Sequence, residues 1–228
     1  MKKTCCILIL VIAIFFIFNL KNAQASKLEW HKVVFHISWE HDNAPMTYID
    51  TLIGAEIIAP ILEKYQSQID IFFLERKCER KNFGHIFTFY FFSKRKNAKK
   101  IFEEVFDDLI IKKLERKKII TKIRYRGTGK TQTNALSNPA WDRYARQSWP
   151  YQMQGISGGW ITSILEINKD FDKYNEGKRN LLVCYQEIEN QLKKSWYLHQ
   201  RDAIFNSAEQ LFDSTPGRHY HHNYSHHN

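Results

Sequence analysis

Only nine glycines and five prolines occur in 228 residues, which excludes collagen-like repeats and low-complexity chains. Cysteine is equally sparse at four, too few for the disulfide framework of a knottin-like scaffold. Acidic side chains are outnumbered by basic ones, 24 against 34, and the formal charge is +10. Long hydrophobic runs are limited to Cys5–Leu20, 16 residues, short of the roughly 20 that span a bilayer as a helix. What remains is 43% hydrophobic and 25% charged, enough apolar side chain for one sizeable core or two small ones. Aromatic residues make 14% of the chain, and a basic, aromatic-rich surface directs attention to anionic partners.

Lys2 and Lys3 precede the Cys5–Leu20 run, and Ala23-Gln24-Ala25 follows it. That order of basic, apolar and small residues reads as a secretory signal peptide over 1–25, cleaved between Ala25 and Ser26, the alternative being an uncleaved segment that would be the chain's one contact with a membrane. A lipid anchor does not fit, because Cys5 and Cys6 stand before the apolar run. The expected product, 26–228, carries 31 basic against 24 acidic residues, so the basic bias belongs to the folded part. The chain is expected to be exported, periplasmic or secreted, where Cys78 and Cys184 could form a disulfide.

Val33, Phe35, Ile37 and Trp39 alternate with Val34, His36, Ser38 and Glu40, the period of a strand with one buried face. Apolar residues at helical spacing follow from Thr47 to about Tyr65, with Pro60 expected to kink or split that helix. Ile69–Arg80 and Phe83–Phe92 read as a hairpin turning at Lys81-Asn82. A second helix carries the stripe Ile101, Phe102, Val105, Phe106, Leu109 and Leu114, capped by Ser93 or Asn97. Ile119–Arg126 supplies a fourth strand. The order β-α-β-β-α-β predicts an α+β, ferredoxin-like sandwich over 28–127, with helices on one sheet face and the other face free. A polar linker follows over 128–139, then helices at about 160–167 and 180–212, within an extension over 128–213. A flexible His-rich tail is expected over 214–228.

Several short motifs invite chemistry. Gly155-Ile156-Ser157-Gly158-Gly159 satisfies the G-x-S-x-G elbow of serine hydrolases, with His199 or His219 as candidate bases. The region before it offers no parallel sheet, which favours Ser157 as a helix cap over Ser157 as a nucleophile. Gly127-Thr128-Gly129-Lys130-Thr131 resembles the end of a phosphate-binding loop, but Arg124 stands where that loop needs glycine. His219, His221, His222, His226 and His227 crowd the tail and could chelate Zn, Cu or Ni. His36, Glu40, His41 and Asp42 form a second polar group at a strand exit. Lys122, Arg124 and Arg126 alternate along strand four and therefore share one face. In a ferredoxin-like sheet strand four neighbours strand one, which brings that basic stripe near His36 and the aromatics of strand three.

Lys81, Phe83, Gly84 and Ile86 resemble the core signature of RNA-recognition motifs, although the export signal argues against a nucleic-acid partner. A longer likeness covers Trp30 to Tyr125. Trp30, Pro60 within helix one, Phe72-Phe73 followed by Arg76, and Gly84-His85-Ile86 opening the next strand resemble the C-terminal domain of lantibiotic dehydratases and related thiopeptide-type biosynthesis proteins. The resemblance implies a sandwich that handles a precursor peptide, with glutamate elimination as the family's chemistry and Arg76 and His85 as the matching positions.

Together these readings favour an exported, non-catalytic binding module for an anionic or peptidic ligand, with Lys122, Arg124, Arg126, His36, Arg76 and His85 as candidate ligand-binding residues. The alternatives are a peptide-modifying relative of the dehydratase domain, a Ser157 hydrolase, and a metal-handling protein that uses its tail.

Overall fold

The computed structural model describes residues 27–39, 44–79, 84–174 and 180–200. β1 (Leu28–Ile37) leads to a helical stretch built from α1 (Thr47–Ile53), a π-helical turn (Gly54–Ile58) and α2 (Ala59–Lys64). β2 (Ile69–Glu79) and β3 (Gly84–Lys94) follow, then α3 (Arg95–Asp107), α4 (Leu109–Arg116) and β4 (Ile120–Gly127). After a 3-10 turn (Thr133–Leu136) come α5 (Arg143–Tyr174), α6 (Leu181–Ser195) and a π-helical segment (Trp196–Gln200). The chain divides into a compact unit that ends at Glu189 and a second that begins at Asn190. Everything described below belongs to the first.

The four strands form one antiparallel sheet in the order β2-β3-β1-β4. The fold is thus α+β. Alternation along β1 decides its two faces. Val33, Phe35 and Ile37 are buried on one, where Phe87, Phe89 and Phe91 of β3 join them. The helices α1 to α4 lie over this covered face, as Phe102 stacking on Tyr125 and Asp50 reaching His85 show. On the opposite face Trp30, Ile71, Phe73 and Phe92 form a second apolar cluster at one end of the sheet. Leu136, Trp149 and Met153 pack against that cluster.

Pro60 lacks an amide and would clash with a carbonyl one turn earlier in a regular helix. The π-helical turn immediately before α2 widens the backbone there and lets the helical stretch continue. Gly54 opens that turn because a Cβ would stand 2.7 Å from the Trp160 ring. The second helix is not continuous. It breaks at Asp108, whose carboxylate accepts from the amides of Ile110 (2.7 Å) and Ile111 (3.1 Å) and caps α4. That break re-phases the apolar stripe, so Ile111 is buried while Phe106 and Leu109 are exposed. The expected caps also differ: Asn97 lies within α3, and the Ser93 hydroxyl donates to the Gln68 carbonyl at 2.6 Å.

The stretch expected to be a linker is tied to the sheet. Trp30 Nε1 donates to the carbonyls of Gln132 (3.1 Å) and Thr133 (2.9 Å), and the Thr128 amide donates to the Trp30 carbonyl. The helix expected from about Trp160 instead starts at Arg143 and runs 32 residues through Pro150 and three glycines. Tertiary contact overrides these breakers. Trp149, Met153, Ser157, Trp160 and Ile164 recur every three or four residues, and each lies against the sheet or the helix turn that covers it. In this way α5 wraps the β2 edge: Trp149 meets Phe73 on one face and Trp160 meets Phe87 on the other.

Cys78 and Cys184 are not joined to each other, so the expected disulfide between them is absent. Among the described residues no helix is long and apolar enough to cross a membrane. The expected signal peptide over 1–25, the expected Lys81-Asn82 turn and the expected tail lie outside the described residues.

Candidate functional site

The six residues expected to bind ligand fall on opposite faces of the sheet. Arg76 and His85 belong to the covered face, opposite Phe87 and Cys78 in the β2–β3 register. Lys122, Arg124, Arg126 and His36 belong to the other. They make two groups with different surroundings.

On the covered face, Asp50 of α1 is the centre. It is 0% exposed, and its Oδ2 accepts from Arg76 Nε at 2.5 Å and lies 3.0 Å from His85 Nε2. A carboxylate taken out of water needs such partners, since an unpaired buried charge is costly. Arg76 also donates to the Thr47 carbonyl (3.2 Å) and to Glu189 of α6 (3.4 Å), and its guanidinium sits 5.9 Å from the Trp160 ring. Glu189 also accepts from the Thr51 hydroxyl at 2.5 Å, and the Tyr185 hydroxyl donates to Glu56. Two polar atoms of this group, Asp50 Oδ1 and His85 Nδ1, are buried with no hydrogen-bond partner among the described residues. Asp50, Thr51 and Glu189 escaped the sequence reading. The available signal was a pair of polar residues inside the buried stretch Ile49-Asp50-Thr51-Leu52-Ile53.

On the other face, β4 carries Lys122, Arg124 and Arg126 opposite His36, Val34 and Lys32 of β1. All three β4 cations are exposed, and none is ion-paired among the described residues. Lys32 lies 5.6 Å from the centre of the Tyr90 ring on β3. One acid on this face, Glu75, is held by Lys77 (3.2 Å) and by the Tyr90 hydroxyl (3.2 Å). Burial, then Arg124 and Lys122, hold the His36 imidazole below its ordinary pKa, and its buried Nε2 has no partner among the described residues. The result is a sheet face that is apolar and covered at the Trp30 end and, among the described residues, cationic and open along β4.

Ser157 neither caps a helix nor sits on an elbow. It lies in mid-helix, 3% exposed, and its Oγ accepts the Leu74 amide at 2.9 Å. A hydrolase elbow needs a strand before the serine and an exposed hydroxyl, and this site has neither. The Gly127–Thr131 loop is likewise committed, with Lys130 Nζ on the Ala135 carbonyl at 2.8 Å. Among the described residues no group of three or more His, Cys, Asp or Glu gathers to hold a metal. His219, His221, His222, His226, His227 and the Glu40-His41-Asp42 stretch lie outside the described residues.

No protein-family model matches the chain, nor does any curated protein or solved structure.

Proposed function

We propose that the protein is an exported, non-catalytic binding module that takes an anionic or peptidic ligand on the open part of its sheet face. The observation that carries this reading is the row Lys122, Arg124 and Arg126, without ion pairs among the described residues and extended by Lys32 and His36 on the adjoining strand. Cations recur along β4 about every 6.6–6.8 Å, so an extended anion can meet several at once. Lys2, Lys3, Cys5–Leu20 and Ala23-Gln24-Ala25 support export. The element order and the strand order β2-β3-β1-β4 support a ferredoxin-like sandwich as the scaffold.

The test is binding of residues 26–228 to dextran sulfate across a salt series, beside a Lys122→Glu/Arg124→Glu/Arg126→Glu variant. Affinity that falls steeply with salt and vanishes in the variant is the expected result. Binding that survives the three reversals would overturn the reading.

A second reading rests on the covered face. Arg76 and His85, the two positions matching the dehydratase-like domain, converge on Asp50, which supports a peptide-modifying relative. Turnover of a peptide that disappears in both Arg76→Met and His85→Gln, while urea midpoints hold, would favour it over the binding module.

A further inference from the structure

The two edges of the sheet are treated differently. In the antiparallel ladder, each residue turns its amide and carbonyl to one side, and successive residues alternate. The Thr128 amide donates to the Trp30 carbonyl. Carried along the register, this makes Lys32–Arg126, Val34–Arg124 and His36–Lys122 the hydrogen-bonded pairs. Ile123 and Tyr125 therefore turn their backbone groups outward from β4. The same alternation carried across β1 and β3 turns Leu74 outward from β2, and that amide is indeed the one the Ser157 hydroxyl takes. α5 closes the β2 edge. On β4, no backbone partner for Ile123 or Tyr125 beyond the sheet exists among the described residues.

An open edge is a template for another strand, and cations along it are a common protection against self-pairing. Here the cations also specify what can pair. A second copy laid antiparallel on β4 would set Lys122, Arg124 and Arg126 against their own counterparts, which like-charge repulsion disfavours. A strand with acids at every second position would meet the same three cations in non-hydrogen-bonded pairs, where side chains approach closest. Its alternate residues would face the other side of the sheet. There, beside Ile123, Tyr125 stacks on Phe102 at 5.0 Å, and Phe102 in turn lies 5.9 Å from Phe106, which is 47% exposed.

We infer that β4 accepts an extended peptide of alternating acidic and apolar residues as a fifth, antiparallel strand. This deepens the binding reading above and rests on it, adding backbone pairing to charge. The probe is the peptide acetyl-Glu-Val-Glu-Val-Glu-Val-Glu-amide. In the inferred pose its valine amides point at β4 and its glutamate amides point to solvent. N-methylation of the three valines should weaken binding at least about tenfold, since each lost hydrogen bond is worth roughly 1 kcal/mol, while N-methylation of the glutamates should change it by less than about twofold. Amide exchange at Ile123 and Tyr125, fast in the free protein, should slow in the complex. Equal binding of both methylated peptides, abolished by the triple charge reversal, would overturn edge addition and leave the charged face standing. Absence of salt-dependent binding by either the peptide or dextran sulfate would overturn both. Slow exchange at Ile123 and Tyr125 in the free protein would also overturn the inference, because another part of the chain or a second copy would then already hold that edge.

Discussion

Arg76 and Arg124 occupy the same sheet on opposite faces, and their surroundings could hardly differ more. Both are exposed, but Arg76 is bonded to two carboxylates and a carbonyl and lies beside an indole ring, whereas Arg124 shares its strand face with Lys122 and Arg126. An arginine bonded to several partners holds elements together, whereas one left among like charges costs some self-repulsion and retains its capacity to bind. The residue type is the same at both positions. The partners decide its use.

The sharpest way to break this comparison is at Asp50. Asp50→Ala removes the carboxylate shared by Arg76 and His85, and the unfolding free energy should fall by about 2–4 kcal/mol. That is below the roughly 3–5 kcal/mol of a fully buried pair because Arg76 retains access to water. Urea denaturation reads the change, and a loss under about 1 kcal/mol would show that the cluster is not a structural joint.

A smaller effect should come from acid. Burial holds His31 below its ordinary pKa, outweighing Glu29 and the Ser93 carbonyl, which pull the other way. His36 is lowered as well. Both side chains bind protons more readily in the unfolded chain, so stability is greatest above about pH 6.5 and declines as pH falls through the unfolded value toward the folded ones. The ring of His31 is fixed between the Ser93 carbonyl (3.2 Å from Nε2) and the Tyr125 hydroxyl (2.9 Å from Nδ1). Its proton resonances should therefore titrate with a midpoint below 6.5, and a midpoint above it would contradict the burial argument.

The smallest change is expected on the open face. Lys122→Gln, Arg124→Gln and Arg126→Gln should each move the unfolding free energy by no more than about 0.5 kcal/mol, as for surface positions generally. A larger loss from any of them would mean that the cation is structurally engaged and would erase the contrast with Arg76.

The strands were legible because period-two alternation in β1 and β4 survives in the sequence undisturbed. The basic stripe followed directly from it, and the position of β4 beside β1 matched the neighbour expected for it. The covered cluster was only half legible. Arg76 and His85 drew notice through a family likeness, but their partners come from helices distant in sequence, 26 and 35 residues away for Asp50 and 113 for Glu189. No local pattern announces such a meeting. The length of α5 was hidden for another reason. Pro150 and the glycines at 155, 158 and 159 carry strong local penalties, and only the sheet edge beneath them supplies the contacts that offset these. Ser157 was misjudged with them, since its value lies in the Leu74 amide 83 residues away.

β1 is the first of the described strands to be made and an inner strand of the finished sheet, flanked by β3 and β4. Both neighbours are synthesised later, the second ending at Gly127. At about 5–20 residues per second, roughly 5–18 s separate the completion of β1 from that of β4. Throughout that interval Trp30, Val33, Phe35 and Ile37 lack the full sheet that will bury them. The order of synthesis therefore gives the chain a built-in delay, during which β1 waits for the neighbour that completes its second side.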